Sequence, residues 1–146
     1  MEPKHSTILP GVKPRGRGAL GNAVGRFEAT AREAFEDGWA PPEERVLRTE
    51  VRLEAARSAL SFNRSPDLPF DRSINPYRGC EHGCSYCFAR PTHEYLGHSA
   101  GIDFERDIYV KVNAAEQLKL ELGNARYRVK PIAIGTNTDP YQPAER

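Results

Sequence analysis

All three cysteines of this 146-residue chain lie within one short segment, at Cys80, Cys84 and Cys87, and this spacing constrains the chain more than any other feature. An odd number of closely spaced thiols does not build a disulfide framework. In a reducing compartment such thiols serve as ligands for soft metals or as reactive groups. The segment must therefore fold as a single loop that presents three thiolates, which predicts a metal centre.

The composition argues against several classes of protein. The formal net charge is only +1, so no overall field draws the chain to nucleic acid or to a membrane surface. The longest apolar runs have four or five residues, too few to span a bilayer. The N-terminus has no apolar segment of the kind found in secretory signals. The sequence predicts a cytoplasmic protein with no membrane partner.

Residues 1–45 are expected to form a flexible, basic arm rich in proline and glycine, with one short helix. Apolar residues from Phe27 to Phe35 recur at helical spacing, and Gly38 is a plausible end of that helix. The basic residues either bind nucleic acid or phosphate, or form a solvated tail. We favour the tail, because the segment has too little apolar surface to order itself.

Residues 46–146 alternate between strand and helix patterns. The predicted elements are a half-buried strand from Thr49 to Leu53, strands at 72–79, 107–112 and 130–135, and a helix over 113–123. The last of these strands is apolar enough to be buried on both faces. Asn113 lies at the N-cap position of the helix, and Glu116 completes a capping box. A strand, a helix and a strand joined by a short crossover predict parallel strands and an α/β fold.

Polar residues follow three of these strands, namely the cysteines, Asn113 and the stretch Thr-Asn-Thr-Asp at 136–139. In α/β barrels the reactive groups lie at the C-terminal ends of the strands. The three sets are therefore expected to meet in one site. A complete barrel takes about 250 residues, and three parallel strands leave an open edge. The chain is accordingly expected to be the N-terminal part of an incomplete barrel.

The cysteine spacing favours an iron–sulfur cluster over zinc. A structural zinc site needs four ligands and would recruit His82 or His93, giving a Cys3His module. Three thiolates on one wrapped loop suit a 4Fe–4S cluster with one iron left open for a substrate or cosubstrate. Such a cluster needs neither histidine, so both are expected to be hydrogen-bonding residues of the loop. Arg78 and Arg90 flank the cysteines and either offset the cluster charge, contact the carboxylate of a cosubstrate, or are solvated.

The motif formed by Cys80, Cys84, Tyr86 and Cys87 resembles the signature of radical SAM enzymes, which use S-adenosylmethionine (SAM). The stretches "SPDLPFDRSINPYRGCEHGCSYCFARPTHEYLG", "DFERDIYVKVNAAEQL" and "GTNTDPYQPAER" are similar to a bacterial radical SAM family related to spore photoproduct lyase, also described as DNA-repair-photolyase-like. The resemblance covers roughly residues 45–146. It implies that residues 46–146 are the first part of a partial (β/α)6 barrel.

The resemblance also implies the cofactors and the chemistry. In this superfamily the open iron of a 4Fe–4S cluster chelates SAM, and one electron, from a donor such as flavodoxin or ferredoxin, cleaves the sulfonium C–S bond. The resulting 5′-deoxyadenosyl radical abstracts hydrogen from a substrate. Lyase chemistry or nucleic-acid repair is the expectation at the level of the family. A fragment that binds a cluster without catalysing a reaction is a further alternative.

The resemblance assigns the cluster ligands to Cys80, Cys84 and Cys87. Five further positions follow from it: Tyr86 beside the adenine, Asn113 near the SAM end of the barrel, and Thr138 and Asp139 beside SAM with Asn137 as a neighbour. Asn113 has an alternative explanation as a helix cap, and Asp139 as part of a turn. The Gly-Gly-Glu-like motif of many radical SAM enzymes is not evident, and later strands are absent. No substrate-facing catalytic residue is therefore assigned.

Overall fold

The computed structural model describes residues 16–28 and 48–145, which form a mixed α/β arrangement with two three-stranded sheets. The strands are β1 (Glu50–Glu54), β2 (Leu60–Phe62), β3 (Arg72–Ile74), β4 (Tyr77–Arg78), β5 (Asp107–Lys111) and β6 (Ala133–Ile134). The helices are α1 (Ile102–Arg106) and α2 (Ala114–Leu122), with 3-10 helices at Arg90–Leu96 and Pro143–Glu145. Neither α1 nor the 3-10 helices were predicted from the sequence.

The predicted strand at 72–79 forms two strands that belong to different sheets. The first sheet has the order β1-β5-β4, with β1 parallel and β4 antiparallel to β5. The second has the order β2-β3-β6, with β2 antiparallel and β6 parallel to β3. Pro76 separates β3 from β4, because proline has no N–H to donate to a ladder. Its carbonyl oxygen still accepts the Lys111 N–H at 2.9 Å.

The strands on either side of α2 do not pair with each other. β5 lies in the first sheet, whereas β6 lies in the second and pairs with β3, where Ala133 faces Ser73. The expected parallel neighbours across this crossover are therefore not formed. The two sheets do not close into a barrel within residues 16–28 and 48–145. The partial (β/α)6 barrel remains a prediction.

Several apolar faces that the sequence placed against a core are exposed. Val51 and Leu53 of β1 are 48% and 75% exposed, so this strand is not half-buried. β6 has only two residues, and Ile134 is 65% exposed, so it is not buried on both faces. No residue of α2 is fully buried. A strand or helix buries an apolar face only where a second layer covers it, and the described residues supply no such layer here.

None of the described helices is long and apolar enough to cross a membrane.

The best-buried part of the structure lies beneath the cysteine segment. Phe104 of α1 and Ile108 of β5 are fully buried. Phe104 forms an apolar cluster with Cys80 and Ala89, and Cys87 packs against it. The cysteine segment therefore rests on the junction between α1 and β5, which determines where a group held by the cysteines would lie.

A buried carboxylate fixes part of the N-terminal segment to this core. Glu105 accepts the backbone N–H groups of Arg17, Gly18 and Ala19 at 2.6–3.2 Å, and its side chain is only 3% exposed. Successive N–H groups around one anion form an anion-binding nest. Residues 16–28, which the sequence assigned to a flexible arm, thus lie in defined contacts with the core. Residues 1–15 and 29–47, which include most of the predicted short helix, lie outside the described residues.

Replacing Glu105 should strongly destabilise the protein. Glu105→Gln leaves the buried guanidinium of Arg90 without its carboxylate partner. Breaking a buried ion pair in this way typically costs about 3 kcal/mol or more. Urea unfolding at neutral pH should therefore show a clearly lower midpoint, and trypsin should cut after Arg17 more readily. The matched control is Glu94→Gln, which removes the ion pair with exposed Arg26 and should shift the midpoint little. Equal shifts in the two variants would contradict the role of Glu105.

Candidate functional site

The cysteine loop (residues 80–87) follows β4 and depends on two glycines, one just before the loop and one within it. Gly79 has a φ of 76°, and a Cβ there would lie 2.9 Å from the Asp107 carbonyl oxygen. Gly83 has a φ of 64°. Only glycine adopts such left-handed conformations at no steric cost. The Cys80 N–H then donates to the Phe104 carbonyl at 2.9 Å, which ties the start of the loop to α1.

The three thiols differ in exposure. Cys80 is buried, Cys87 is intermediate and Cys84 is exposed. Two turns shape the loop, because the Gly83 N–H donates to the Cys80 carbonyl and the Cys87 N–H to the Cys84 carbonyl, both at 3.3 Å. Thiolates around one zinc ion would be about 3.8 Å apart, given Zn–S bonds of about 2.3 Å. Among the described residues these three sulfurs are not all within 4.8 Å of one another.

Arg90 holds the outer part of this loop in place. Its Nη2 donates to the carbonyl oxygens of Gly83 and Cys84, both at 2.9 Å, and its Nε donates to Cys84 at 3.0 Å. The same guanidinium pairs with Glu105. Of the roles open to Arg90 from the sequence, a solvated arginine is excluded, because only 11% of its side chain is exposed. Arg90 binds the backbone that carries the thiols.

Gln142 connects the cysteine loop to the segment after β6. Its Nε2 donates to Cys80 Sγ at 3.3 Å, and its Oε1 accepts the Glu81 N–H at 3.0 Å. The side chain is almost fully buried. The ring of His82 contributes a second contact, because its Nε2 lies 3.0 Å from the Tyr141 carbonyl oxygen. Gln142 was not predicted from the sequence. It could have been identified because it lies three residues after Asp139, in the same segment that follows a predicted strand.

The predicted residues at 137–139 lie beside β4. Thr138 is buried, and its hydroxyl donates to the Tyr77 carbonyl at 3.3 Å. The Asn137 N–H donates to Asn75 Oδ1 at 2.8 Å, while the residue itself is exposed. Asp139 Oδ1 accepts a backbone N–H two residues further along the chain, at 2.8 Å. This contact is the turn that the sequence offered as the alternative for Asp139. The structure thus brings residues 137–139 close to the strand that leads into the cysteines.

The other two predicted cofactor contacts, Asn113 and Tyr86, differ in whether their side chains are free to contact a ligand. The side-chain amide of Asn113 makes two hydrogen bonds to the backbone of Ala56. Its Oδ1 accepts the Ala56 N–H at 2.7 Å, and its Nδ2 donates to the Ala56 carbonyl at 2.9 Å. Its side chain makes no capping bond to α2, so the predicted capping box with Glu116 is not formed. Tyr86, by contrast, is 88% exposed. Its ring lies on the outside of the cysteine loop, where a bound molecule could contact it.

A polar cleft of about 350 Å³ lies where the two sheets meet the 3-10 helix at 90–96. Its walls are formed by Ser61, Asn75, Tyr77, Arg78, Thr92, His93, Tyr95, Lys111, Asn137 and Thr138. Two of the predicted site residues, Asn137 and Thr138, therefore face this cleft. The cysteines do not line it, although β4 runs from the cleft directly into the cysteine loop.

His93 forms part of the cleft wall and is almost fully buried. Its ring packs against His98, Phe104 and Tyr109, with ring centroids 5.1, 5.6 and 6.2 Å away. Neither ring nitrogen has a hydrogen-bond partner among the described residues. Burial and the neighbouring His98 lower its pKa from 6.5 to about 4. The prediction that His93 is a hydrogen-bonding loop residue is therefore wrong, whereas the same prediction for His82 is confirmed.

A second group of potential metal ligands is neutralised by arginines. Side-chain atoms of His98, Asp103 and Asp107 lie within 4.8 Å of one another. Asp107 already accepts from Arg106 at 2.9 Å and from Arg52 at 3.3 Å. A bound cation would have to compete with two guanidinium groups for this buried carboxylate. We interpret the group as a structural ion-pair network.

The chain is similar in sequence to mycobacterial proteins that are described as uncharacterized. The chain is 52% identical over 88 residues to uncharacterized proteins from two strains of Mycobacterium tuberculosis and from Mycobacterium bovis. The matched segment covers 58% of this chain and 26% of each relative. The chain therefore spans about a quarter of the length of these relatives. No family model matches the chain, and no solved structure matches it.

The buried state of His93 predicts an acid-sensitive fold. Because its pKa is lower in the folded protein, the unfolded chain binds more protons between pH 6.5 and about 4, and stability should decrease as the pH falls through this window. Urea midpoints measured at about pH 7 and about pH 5 should differ in the wild type. The difference should shrink in His93→Phe, which keeps an aromatic ring but cannot be protonated. Exposed His82 supplies the control, and His82→Gln should retain the wild-type response. A wild-type midpoint that does not change with pH would rule the prediction out.

Proposed function

We propose that this chain is part of a radical SAM enzyme and that Cys80, Cys84 and Cys87 hold a 4Fe–4S cluster. The observation that carries the proposal is three thiols on one loop, joined through Gln142 to the strand-end segment at 137–142. This is the juxtaposition expected if the cysteines and the SAM-binding residues of the resemblance form one site. The relatives neither support nor oppose the proposal, because no activity is assigned to them.

The residues of the loop fit a cluster of this type. Soft thiolate ligands are those that iron–sulfur clusters require. An N–H group directed at a ligating sulfur, as from Gln142 to Cys80, is a common outer contact of such clusters. Ala89 and Phe104 form an apolar floor under the loop. Cys84 is exposed, which leaves one side of the loop open to a cosubstrate and to an electron donor such as flavodoxin or ferredoxin.

The chain's own residues would position the reactants. Arg90 and Glu105 hold the loop backbone, so that the thiolates are presented together. Tyr86 would cover the adenine of SAM. The exposed side chains of Asn137 and Asp139 would contact its polar groups from the neighbouring segment, whereas buried Thr138 would hold that segment against β4 through its bond to the Tyr77 carbonyl. We assign no cofactor contact to Asn113, because both of its polar atoms bind Ala56. When bound, the cluster would supply the electron that cleaves SAM and so initiates hydrogen abstraction.

The substrate class of the complete enzyme is inferred from the resemblance alone. The resemblance suggests lyase chemistry or nucleic-acid repair, and a fold supports many chemistries. A partial (β/α)6 barrel would require further strands to enclose the substrate. We further propose a cytoplasmic location, because a reducing compartment keeps thiols available as ligands. The alternative of a Cys3His zinc module has less support, since His82 bonds to the Tyr141 carbonyl and His93 is buried in the cleft wall.

Anaerobic reconstitution with iron and sulfide tests the proposal. The wild-type chain should bind about four irons and four sulfides. The reduced protein should give an electron paramagnetic resonance spectrum that shifts when SAM is added. Cys84→Ser should lose the cluster, and because Cys84 is exposed the substitution should leave folding intact. Ser85→Ala, at the adjacent exposed position, is the matched control and should retain both the cluster and the shift.

The other outcomes of this experiment are also informative. Bound zinc without sulfide would support the zinc module and reject the cluster. A cluster that does not respond to SAM would indicate a cluster-binding fragment without activity. The same measurements on an extended chain, comparable in length with the relatives, would show whether further strands restore the response. Failure of both chains to bind iron and sulfide would reject the proposal.

Gln142 should raise the reduction potential of the reconstituted cluster. Its N–H stabilises the extra negative charge of the reduced state through Cys80. Gln142→Leu removes this bond, and a hydrogen bond worth about 1 kcal/mol corresponds to roughly 40 mV for one electron. The potential measured by redox titration should fall by about that amount. Tyr141→Phe alters an exposed neighbouring ring and should leave the potential unchanged. An unchanged potential in Gln142→Leu would contradict this role.

A further inference from the structure

The cleft contains two cationic side chains and no acidic ones among its described wall residues. Arg78 of β4 and Lys111 of β5 both line it. In the antiparallel register Arg78 faces Tyr109, so Lys111 is its diagonal neighbour on the same face of the sheet. Diagonal neighbours are about 7–8 Å apart, within reach of long side chains. Two like charges at this spacing repel each other, and the single carboxylate beside them, that of Glu54, which pairs with Arg78 and is the register partner of Lys111, offsets only one of the two.

Lys111 lacks a carboxylate partner among the described residues. Glu54 is its partner in the parallel register of β1 and β5, but Oε1 of Glu54 accepts from Arg78 at 2.9 Å, and its buried Oε2 has no hydrogen-bond partner among the described residues. Burial and the charge of Arg78 both lower the pKa of Lys111, and Glu54 only partly opposes this effect. A half-buried ammonium group is costly to keep unpaired. The position therefore favours a bound anion.

Other donors of the wall are also unpaired. Arg78 Nε and both ring nitrogens of His93 have no hydrogen-bond partner among the described residues. An unsatisfied buried polar group typically costs about 1–3 kcal/mol. In the cleft wall this cost would be offset if a ligand, or water ordered by it, supplied oxygen acceptors after a small rotation of these side chains. Neutral His93 offers one N–H donor for such a contact.

We propose that this cleft binds the phosphate group of a small phosphorylated ligand, with Lys111 as the principal contact and Arg78 as the second cation. A phosphate carries more charge than a carboxylate and has more acceptor oxygens. It therefore matches two cations and several unpaired donors better than a carboxylate does. Exposed Asn137 and Tyr95 at the mouth are positioned to contact the rest of the ligand. None of the cysteines lines the cleft, so the proposal does not require a bound cluster, although Asn137 and Thr138 lie both in the cleft wall and in the segment proposed to lie beside SAM.

The test is binding of inorganic phosphate to the purified chain before any cluster is reconstituted, measured by calorimetry at low ionic strength. Lys111→Met keeps the aliphatic stem and removes the charge, and it should weaken phosphate binding about tenfold or more. Exposed Lys119 of α2 provides the matched control, because Lys119→Met makes the same charge change away from the cleft and should leave the affinity unchanged. Thermal melts of both variants check that they fold.

A second variant keeps the proposal open to refutation if Lys111→Met does not fold. Asn137→Asp introduces a negative charge at an exposed position of the cleft and should also weaken phosphate binding. Equal affinities in the wild type, Lys111→Met and Lys119→Met would show nonspecific binding and overturn the proposal. Absence of phosphate binding at millimolar concentration would overturn it as well. Titration with SAM distinguishes a phosphate ligand from a carboxylate ligand. If SAM binds in a way that depends on Lys111 and phosphate does not bind, the cleft is a carboxylate site instead.

Discussion

The buried carboxylate of Glu105 is the interaction on which the arrangement of the site depends. It sits at the end of α1, accepts three consecutive backbone N–H groups from the N-terminal segment and pairs with Arg90. Arg90 in turn binds the carbonyl oxygens of Gly83 and Cys84. One buried charge therefore organises three parts of the chain that are far apart in sequence. Without it, Arg90 would lose its carboxylate partner, and the outer part of the loop that presents the thiols would be held less firmly.

This dependence explains which parts of the site the sequence could predict. The cysteine loop is a local feature, so spacing alone indicated three thiols on one segment after a strand. The neighbouring Thr138 followed from the rule that strand ends carry functional groups. Glu105 and Gln142 act across 88 and 62 positions of sequence, and no local periodicity marks such pairs. His93 was identified as a polar loop residue, but its burial depends on the rings of His98, Phe104 and Tyr109.

The fold shows the same division between local and long-range information. β5 and α2 lie where propensity and periodicity predicted them, because both are decided by residues close together in the chain. Burial was predicted less well. Leu53 and Ile134 look like core residues in sequence, yet a side chain becomes buried only when another layer covers its face. The break at Pro76 likewise directs β3 and β4 into different sheets, which a strand pattern over 72–79 does not reveal.

β4 links the two sites that we propose. Thr138 binds the Tyr77 carbonyl, Arg78 lines the cleft, and Gly79 turns the chain into Cys80. An anion that draws Arg78 and Lys111 together would act on the strand next to the first thiol. Gln142 contacts this thiol from the other side, and the segment that carries it also contributes Asn137 to the cleft. The cleft and the cysteine loop therefore share two backbone connections, β4 and the segment at 137–142.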